Sequence, residues 1–171
     1  FVSQSGALGA YWMDIVLRSG LGFSQWITTG NECDVDAAEA IDYLVDDPNT
    51  EVIGLYLEDV RRADAFRAAL ARAAAAGKPV IAIKSGRSSA GAAAAASHTG
   101  ALAGDDALYN ACLQQHGALR VESLSEMMDT ARLFLFGAVP RGGKLAVMTV
   151  SGGAGVLIAD ACDSQGLSLP P

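Results

Sequence analysis

Residues 1–9, FVSQSGALG, place a short apolar strand, a serine–glycine turn and the start of a helix in direct succession. The helix continues over residues 10–18 and ends at Gly20, a typical helix terminator. The first N–H groups of a helix lack partners within it, and the helix dipole is positive at that end. The turn Ser5-Gly6-Ala7 is therefore either an anion site or a plain strand-to-helix connection that needs glycine for close packing.

The same strand-then-helix order continues along the chain and predicts the fold class. Short apolar or alternating runs predict strands at 23–29, 52–57, 80–83 and 119–121. Amphipathic runs with capping residues predict helices at 37–45, 63–76, 105–116 and 123–135. Several strand–helix units in a row favour an α/β fold with a doubly wound parallel sheet.

Residues 147–155, VMTVSGGAG, repeat the opening of the chain. The repeat pairs Ser5 with Ser151 and Gly6 with Gly152, and it predicts a second copy of the same domain type. We therefore expect one domain at 1–137, a linker at 138–143, and the truncated start of a second, similar domain at 144–171. The apolar strand at 145–150 should be buried against the first domain or a second molecule.

Residues 97–104, SHTGALAG, follow a run of small residues and include one of the two histidines of the chain. From 85 to 104 the sole large apolar residue is Leu102, so this segment cannot form core. Long loops without strand or helix patterning usually carry function. The alanines at 90–96 are able to form a short helix, which would bring His98 to a helix end.

Polar residues follow several of the predicted strands, and the carboxyl edge of a parallel sheet is where ligands bind. Glu58 follows the strand at 52–57, and His98 follows the strand at 80–83. A histidine here is able to act as a nucleophile, a base or a metal ligand, or to be an incidental loop residue. Metal is the weakest choice, because the second histidine, His116, falls at a predicted helix end. For a histidine that accepts a phosphoryl group, a helix N-terminus would stabilise the anion and Glu58 would orient the ring.

The composition excludes several function classes. The formal charge is −7, which argues against nucleic acid and against anionic membrane surfaces as partners. The apolar stretch at 145–161 is interrupted by glycines, which argues against a membrane span. The three cysteines have no CxxC spacing, so we expect no metal site and no disulfide framework, and a cytoplasmic location.

Residues 86–104, GRSSAGAAAAASHTGALAG, together with 105–134, resemble the CoA-ligase domain of NDP-forming acyl-CoA synthetases. This superfamily includes succinyl-CoA synthetase and ADP-forming acetyl-CoA synthetase. The resemblance implies a flavodoxin-like domain in which His98 is phosphorylated by acyl phosphate and passes the phosphoryl group to a nucleoside diphosphate. It implies that Glu58 contacts this histidine, and that phosphate is bound at the turns Ser5-Gly6-Ala7 and Ser151-Gly152-Gly153.

The resemblance also implies what the complete enzyme contains. It would use CoA and ATP or ADP with Mg²⁺, act on a small carboxylic acid, and form an oligomer. A CoA-binding Rossmann domain would precede Phe1, and an ATP-grasp domain would lie elsewhere in the enzyme, so the fragment alone should hold no cofactor and be inactive. The alternatives are the regulatory acyl-CoA-synthetase-like region of a protein lysine acetyltransferase and a non-catalytic flavodoxin-like ligand-binding domain. The acyl group and the choice between ADP and GDP stay open.

Overall fold

The structure, a computed structural model, describes residues 1–99, 104–137 and 142–170 of the chain, except for the side chains of Ala96, His98 and Thr99. The chain divides into two compact units, Phe1–Gly137 and Ala138–Pro171.

A five-stranded sheet forms the centre of the first unit. Its strands are β1 (Val2–Ser3), β2 (Ile27–Thr28), β3 (Ile53–Leu57), β4 (Val80–Lys84) and β5 (Leu119–Arg120). They lie in the order β2-β1-β3-β4-β5, and every pairing is parallel. This is the flavodoxin-like strand order, so the predicted α/β, doubly wound fold is confirmed.

Helices cover both faces of this sheet. They are α1 (Gly6–Arg18), α2 (Ala37–Asp46), α3 (Ala63–Ala75), α4 (Ser89–Thr99), α5 (Asp106–Gln115) and α6 (Leu124–Phe136). One apolar cluster joins α2, α3 and α5 to side chains such as Leu55 and Ala82. A second cluster joins α1 and α6 to the opposite side chains, such as Ile81 and Ile83. Alternating residues of one strand thus belong to two cores, as expected for a sheet buried on both faces.

Two predicted elements differ in length from the observed ones. The strand predicted at 23–29 is observed only as β2, because its partner β1 is itself two residues long; Phe23 and Trp26, before β2, pack as an aromatic pair with centroids 5.2 Å apart. The segment at 85–104, expected to be mainly loop, contains the eleven-residue helix α4. The high helix propensity of its alanines accounts for this, and Ser88 Oγ accepts a hydrogen bond from Gly91 N at its start.

The second unit contains α7 (Gly152–Ser164) and, in its described part, a single parallel bridge between Lys144 and Ser168. No strand forms over 145–150 in the described part of this unit, so the predicted strand is wrong, and within this unit Met148 and Val150 are exposed. The physical reason is that a parallel strand needs neighbours to pair with, and only Ser168 supplies one here. The expected burial of the segment against the first domain or a second molecule stays a prediction.

Of the helices described, none combines the length and the apolar character needed to span a bilayer.

The start of α2 is fixed by a capping box that also carries an ion pair. Asp36 Oδ1 accepts from Glu39 N at 3.0 Å, and Glu39 Oε2 accepts from Asp36 N at 3.2 Å. Arg62, which precedes α3, donates to the other carboxylate oxygen of Asp36. This hydrogen bond lowers the pKa of Asp36 below its ordinary value of 3.8, with burial acting in the opposite direction.

Asp36→Ala should lower the free energy of unfolding by about 1 kcal/mol, because it removes the N-cap acceptor of α2. Asp36→Asn keeps a good capping group and loses only the charge, so it should cost less. Urea unfolding followed by circular dichroism measures both. Equal losses for the two variants would contradict a capping role.

A comparison of the wild type with Asp36→Asn also tests how the stability of the fold depends on pH. Because the folded-state pKa of Asp36 is depressed, its charge stabilises the fold fully above the unfolded-state pKa, about 4. That contribution is lost as the pH falls from there through the folded-state pKa. The difference in unfolding free energy between wild type and Asp36→Asn should be constant near neutral pH and shrink on acidification. A difference that widens in acid would refute this assignment.

Candidate functional site

The turn that opens α1 lies at the carboxyl end of β1 and is shaped by two serines. Ser3 Oγ donates to Ser5 O at 2.7 Å and accepts from Ser5 N at 3.1 Å. Ser5 is the N-cap and accepts from Leu8 N at 3.4 Å, while Gly6 and Ala7 are exposed. The first N–H groups of α1 are thus held at the surface, where an anion has access to them.

The second unit builds the same turn at the matching positions. Thr149 Oγ1 donates to Ser151 O at 3.2 Å and accepts from Ser151 N at 3.1 Å, as Ser3 does with Ser5. Ser151 caps α7 by accepting from Ala154 N at 3.3 Å, and Gly152 and Gly153 are exposed. The internal repeat of the sequence therefore corresponds to a repeated hydrogen-bonding pattern.

The glycines of the first turn have different roles. A Cβ placed on Gly9 would lie 2.8 Å from Trp26 Cζ2, so this glycine lets α1 approach the segment before β2. A Cβ on Gly6 would meet nothing within 4 Å. Close packing therefore explains why residue 9 is glycine. It does not explain why Gly6, the first residue of the helix, is glycine.

Glu58 follows β3 at the same edge of the sheet, as predicted, and is half-buried. Its main chain is held by the side chain of Gln4, the residue between β1 and the Ser5 turn: Glu58 N and Asp59 N both donate to Gln4 Oε1. The structure thus brings Glu58 and the start of α1 together at neighbouring strand ends.

Lys84, at the carboxyl end of β4, is a buried cation, only 3 % exposed. Its ammonium group donates to Ser85 O and lies 4.6 Å from the centre of the Tyr109 ring. Burial lowers the pKa of Lys84, and the carboxylates of Asp59 and Asp106 partly oppose that shift. The Lys84 ammonium group thus lies within electrostatic range of the carboxylates at the edge that carries Glu58.

Tyr109, on α5, links this cation to the turn after β3. Its hydroxyl donates to Asp59 Oδ1 at 2.8 Å, and burial followed by this hydrogen bond raises the pKa of Tyr109. A Cβ on Gly104 would lie 3.1 Å from the Tyr109 ring, so the end of the segment 97–104 packs against it. Tyr109 thus fixes both the Asp59 turn and the residue where the histidine segment ends.

His98 lies in α4, one residue before its last residue, and its side chain is outside the described part of the structure. The helix is held close to the sheet edge: a Cβ on Gly86, two residues after β4, would lie 3.4 Å from Ala95 Cβ. This contact places Ala95, one helical turn before His98, next to the turn that leaves β4 at the carboxyl edge of the sheet. The contact between Glu58 and His98 stays a prediction. Residues 100–103 are also outside the described residues.

The sequence reasoning missed the roles of two residues of this edge, namely Gln4 and Tyr109. Gln4 was inside the quoted opening segment, and a polar residue directly after a strand is the signal that would have found it. The contacts of Tyr109 with Asp59 and Lys84 join residues far apart in the chain, so no local pattern indicates them.

A cavity of about 330 Å³ lies away from this edge. Its rim includes residues 20–24 together with Asn49, Glu51 and Val52, which precede β2 and β3, so it opens at the amino edge of the sheet. Neither Gln4 nor Glu58 contributes to it. The two features are therefore separate, and the polar side chains discussed above belong to the carboxyl edge.

Comparison with known proteins gives a consistent result. The protein family described as the succinyl-CoA ligase-like flavodoxin domain matches residues 1–134 of the chain. The chain is 43 % identical over 169 residues to the alpha subunit of acetate–CoA ligase [ADP-forming] II of Pyrococcus furiosus, covering 99 % of this chain and 36 % of that protein. It is 41 % identical over 169 residues to acetate–CoA ligase [ADP-forming] I of Archaeoglobus fulgidus, covering 99 % of this chain and 24 % of that protein. The chain therefore spans about a quarter to a third of the relatives it matches.

A solved structure is similar over the whole chain. It is the dinucleotide forming acetyl-coenzyme A synthetase 1 of Ca. Korarchaeum cryptofilum in complex with phosphate and ADP, with a TM-score of 0.92 and 38 % sequence identity. The similarity covers 100 % of this chain and 38 % of that one.

Gly9→Ala and Gly6→Ala should have opposite effects on stability. The added Cβ at position 9 meets the Trp26 ring, an overpacking that typically costs about 1–3 kcal/mol and exceeds the helix-propensity gain of about 1 kcal/mol. At position 6 the added methyl group has open space, so the free energy of unfolding should be unchanged or slightly higher. Urea unfolding of both variants makes the comparison, and an equal loss at Gly6 would show that this glycine is also structural.

Proposed function

The chain belongs to the family of succinyl-CoA ligase-like flavodoxin domains, and we propose on that basis that it is the phosphoryl-transfer part of an ADP-forming acyl-CoA synthetase. The observation that carries the proposal is the match over almost the entire chain to ADP-forming acetate–CoA ligases, together with Glu58 and α4 at one edge of the sheet. We further propose that His98 is the residue that is phosphorylated.

The proposed chemistry consists of two transfers. A neutral imidazole nitrogen of His98 attacks the phosphorus of an acyl phosphate, the bond from phosphorus to the carboxylate oxygen breaks, and the carboxylate leaves. A terminal phosphate oxygen of ADP then attacks the same phosphorus, which releases His98 and forms ATP. In the phosphorylated state the ring is positively polarised, and the Glu58 carboxylate would stabilise it through its other nitrogen.

Two turns are proposed to bind the phosphoryl group, one at each stage. Ser5-Gly6-Ala7 and Ser151-Gly152-Gly153 both open a helix, and their glycines are exposed. A helix N-terminus stabilises a dianion through its free N–H groups and its dipole. The open space around Gly6 and Gly152 is compatible with close approach of a phosphate.

The rest of the enzyme is proposed from the same relatives. We propose that residues 144–171 begin a second flavodoxin-like domain, and that CoA-binding and ATP-grasp domains or subunits complete the protein. CoA and ADP or ATP with Mg²⁺ would be held by the assembled enzyme. The P. furiosus relative is named as a subunit alpha, which supports an assembly of more than one chain.

His98→Asn in the full-length protein should abolish phosphoryl transfer between acyl phosphate and ADP. Wild-type protein incubated with γ-³²P-labelled ATP should take up acid-labile, base-stable label, because phosphohistidine has that stability. The variant should take up none, since asparagine offers no nucleophilic ring nitrogen.

His116→Asn is the matched control, because His116 is the C-cap residue of α5 and has no assigned role in the chemistry. It should be labelled like the wild type. Normal labelling of the His98 variant, or no labelling of the wild type, would overturn the phosphohistidine proposal. The second outcome would favour a non-catalytic or regulatory module.

Glu58→Gln in the full-length protein should slow phosphorylation of His98 by about 10²-fold, the usual scale for a positioned catalytic partner. The substitution keeps the size of the side chain and removes the charge that stabilises the imidazole. Rapid-quench measurement of phosphohistidine formation gives the rate. Glu51→Gln, an exposed glutamate just before the other end of β3, should leave the rate unchanged.

A further inference from the structure

Gln4 makes four hydrogen bonds through one buried side-chain amide. The residue is 8 % exposed and follows β1 directly. Its Nε2 donates to Glu32 Oε1 at 2.7 Å and to Asp59 O at 2.8 Å. Its Oε1 accepts from Glu58 N and, at 3.0 Å, from Asp59 N. A primary amide has two N–H donors and two acceptor lone pairs, so every one of them is satisfied.

These partners also fix the orientation of the amide. If the oxygen and nitrogen were exchanged, the NH₂ group would face two main-chain N–H donors, and the oxygen would face a carboxylate and a carbonyl. Both contacts would be repulsive. The amide is therefore locked in one orientation, and it holds the main chain of Glu58 and Asp59 in a single geometry.

Glu32 fixes the other side of the amide. This residue has a φ of +54°, a left-handed backbone conformation that is unfavourable for a non-glycine residue. Besides Gln4, Glu32 Oε1 accepts from Ala37 N, the first residue of α2, at 2.9 Å. The strain at Glu32 is thus maintained by bonds that place its carboxylate between Gln4 and the start of α2.

The amide of Gln4 therefore ties together three strand ends. It belongs to the end of β1, it anchors the turn after β2 through Glu32, and it anchors the turn after β3 through Glu58 and Asp59. A small recess of about 20 Å³ lies between these turns and is lined by the same residues together with neighbouring ones. A purely structural amide would stabilise these turns without affecting any reaction.

We propose that Gln4 is a positioning residue that sets the direction of the Glu58 carboxylate toward His98, an inference that rests on the proposed function of Glu58 and His98. The main-chain N–H of Glu58 is bonded directly to Gln4, so loss of the amide frees the backbone that carries the carboxylate. A displacement of about 1 Å at a reacting centre reduces rates by about 10²-fold. Gln4 itself touches no reacting group and acts through Glu58.

The test is a double-mutant cycle in the full-length protein, with acetyl phosphate as phosphoryl donor and phosphohistidine as the measured product. Gln4→Met has a similar length and removes all four hydrogen bonds. We expect it to lower the single-turnover rate at saturating acetyl phosphate by about 10- to 100-fold, with little change in KM. In a Glu58→Gln background the same substitution should have almost no further effect, because its action passes through the missing carboxylate.

Stability is measured on the same proteins to separate positioning from folding. Gln4→Met should lower the unfolding midpoint equally in the wild-type and Glu58→Gln backgrounds, while its effect on the phosphorylation rate disappears in the Glu58→Gln background. Thr50→Val is the control for general destabilisation: Thr50 lies before β3, at the amino edge of the sheet, where its hydroxyl bonds Asp47 Oδ2 and Ser24 Oγ, and loss of these bonds should lower the midpoint without changing the rate.

Each outcome has a distinct meaning. If wild-type protein forms no phosphohistidine at His98, the proposed function fails, and this inference fails with it. If the wild type is phosphorylated, two results would overturn the positioning role alone. One is that Gln4→Met is phosphorylated as fast as the wild type. The other is that Gln4→Met slows phosphorylation by the same factor in the wild-type and Glu58→Gln backgrounds. If Gln4→Met does not fold, Gln4→Asn replaces it: the group stays a primary amide but is shortened by one methylene group, so it no longer reaches Glu58 N, and the same loss of effect in the Glu58→Gln background is expected.

Discussion

The parallel pairing of β3 with β4 is the interaction on which the rest of the first unit depends. Five residue pairs lie in register, from Ile53 opposite Val80 to Leu57 opposite Lys84. Side chains on both faces of this pair are largely buried, so a slip of one residue would exchange the two cores and is strongly disfavoured. Because both strands run in the same direction, the turns that follow them leave at one edge, and Ser85 N donates to Leu57 O there at 2.9 Å. The position of Glu58 relative to α4 follows from this register.

The sequence predicted those elements whose stability depends mainly on local patterning. The apolar runs that became β3 and β4, and the capping residues Asp36 and Ser123, give the strand and helix boundaries to within a residue or two. Predictions that depended on distant partners were less accurate. Of the alternating segment at 23–29, expected to be a strand throughout, only β2 pairs with the short β1, and the aromatic side chains before β2 pack beside Phe1. The segment at 145–150 has strand-like residues and, in the described second unit, lacks neighbouring strands to pair with.

The candidate site was predictable to a similar extent. Placing Glu58 at the carboxyl edge required only the end of an apolar run and the rule that parallel strands end on one side. The residues that hold Glu58 in place were not predictable in this way, because Gln4 and Asp59 are distant in the chain and meet only through the strand order. The left-handed conformation of Glu32 is likewise a product of its partners, since glutamate has no intrinsic preference for it. Local patterns therefore located the candidate residues, and long-range contacts determine their geometry.

The serine turns of the two units differ from the rest of the site in being self-contained. Their hydrogen bonds join residues two to three positions apart, so closing them requires little loss of chain entropy and no distant partner. The turn at Ser151 accordingly has the same bonds as the turn at Ser5, although no strand precedes it within residues 142–150. A segment with this property keeps its shape when it is duplicated into a new sequence context. Gene duplication is thus able to copy such a turn intact, while the surrounding sheet diverges.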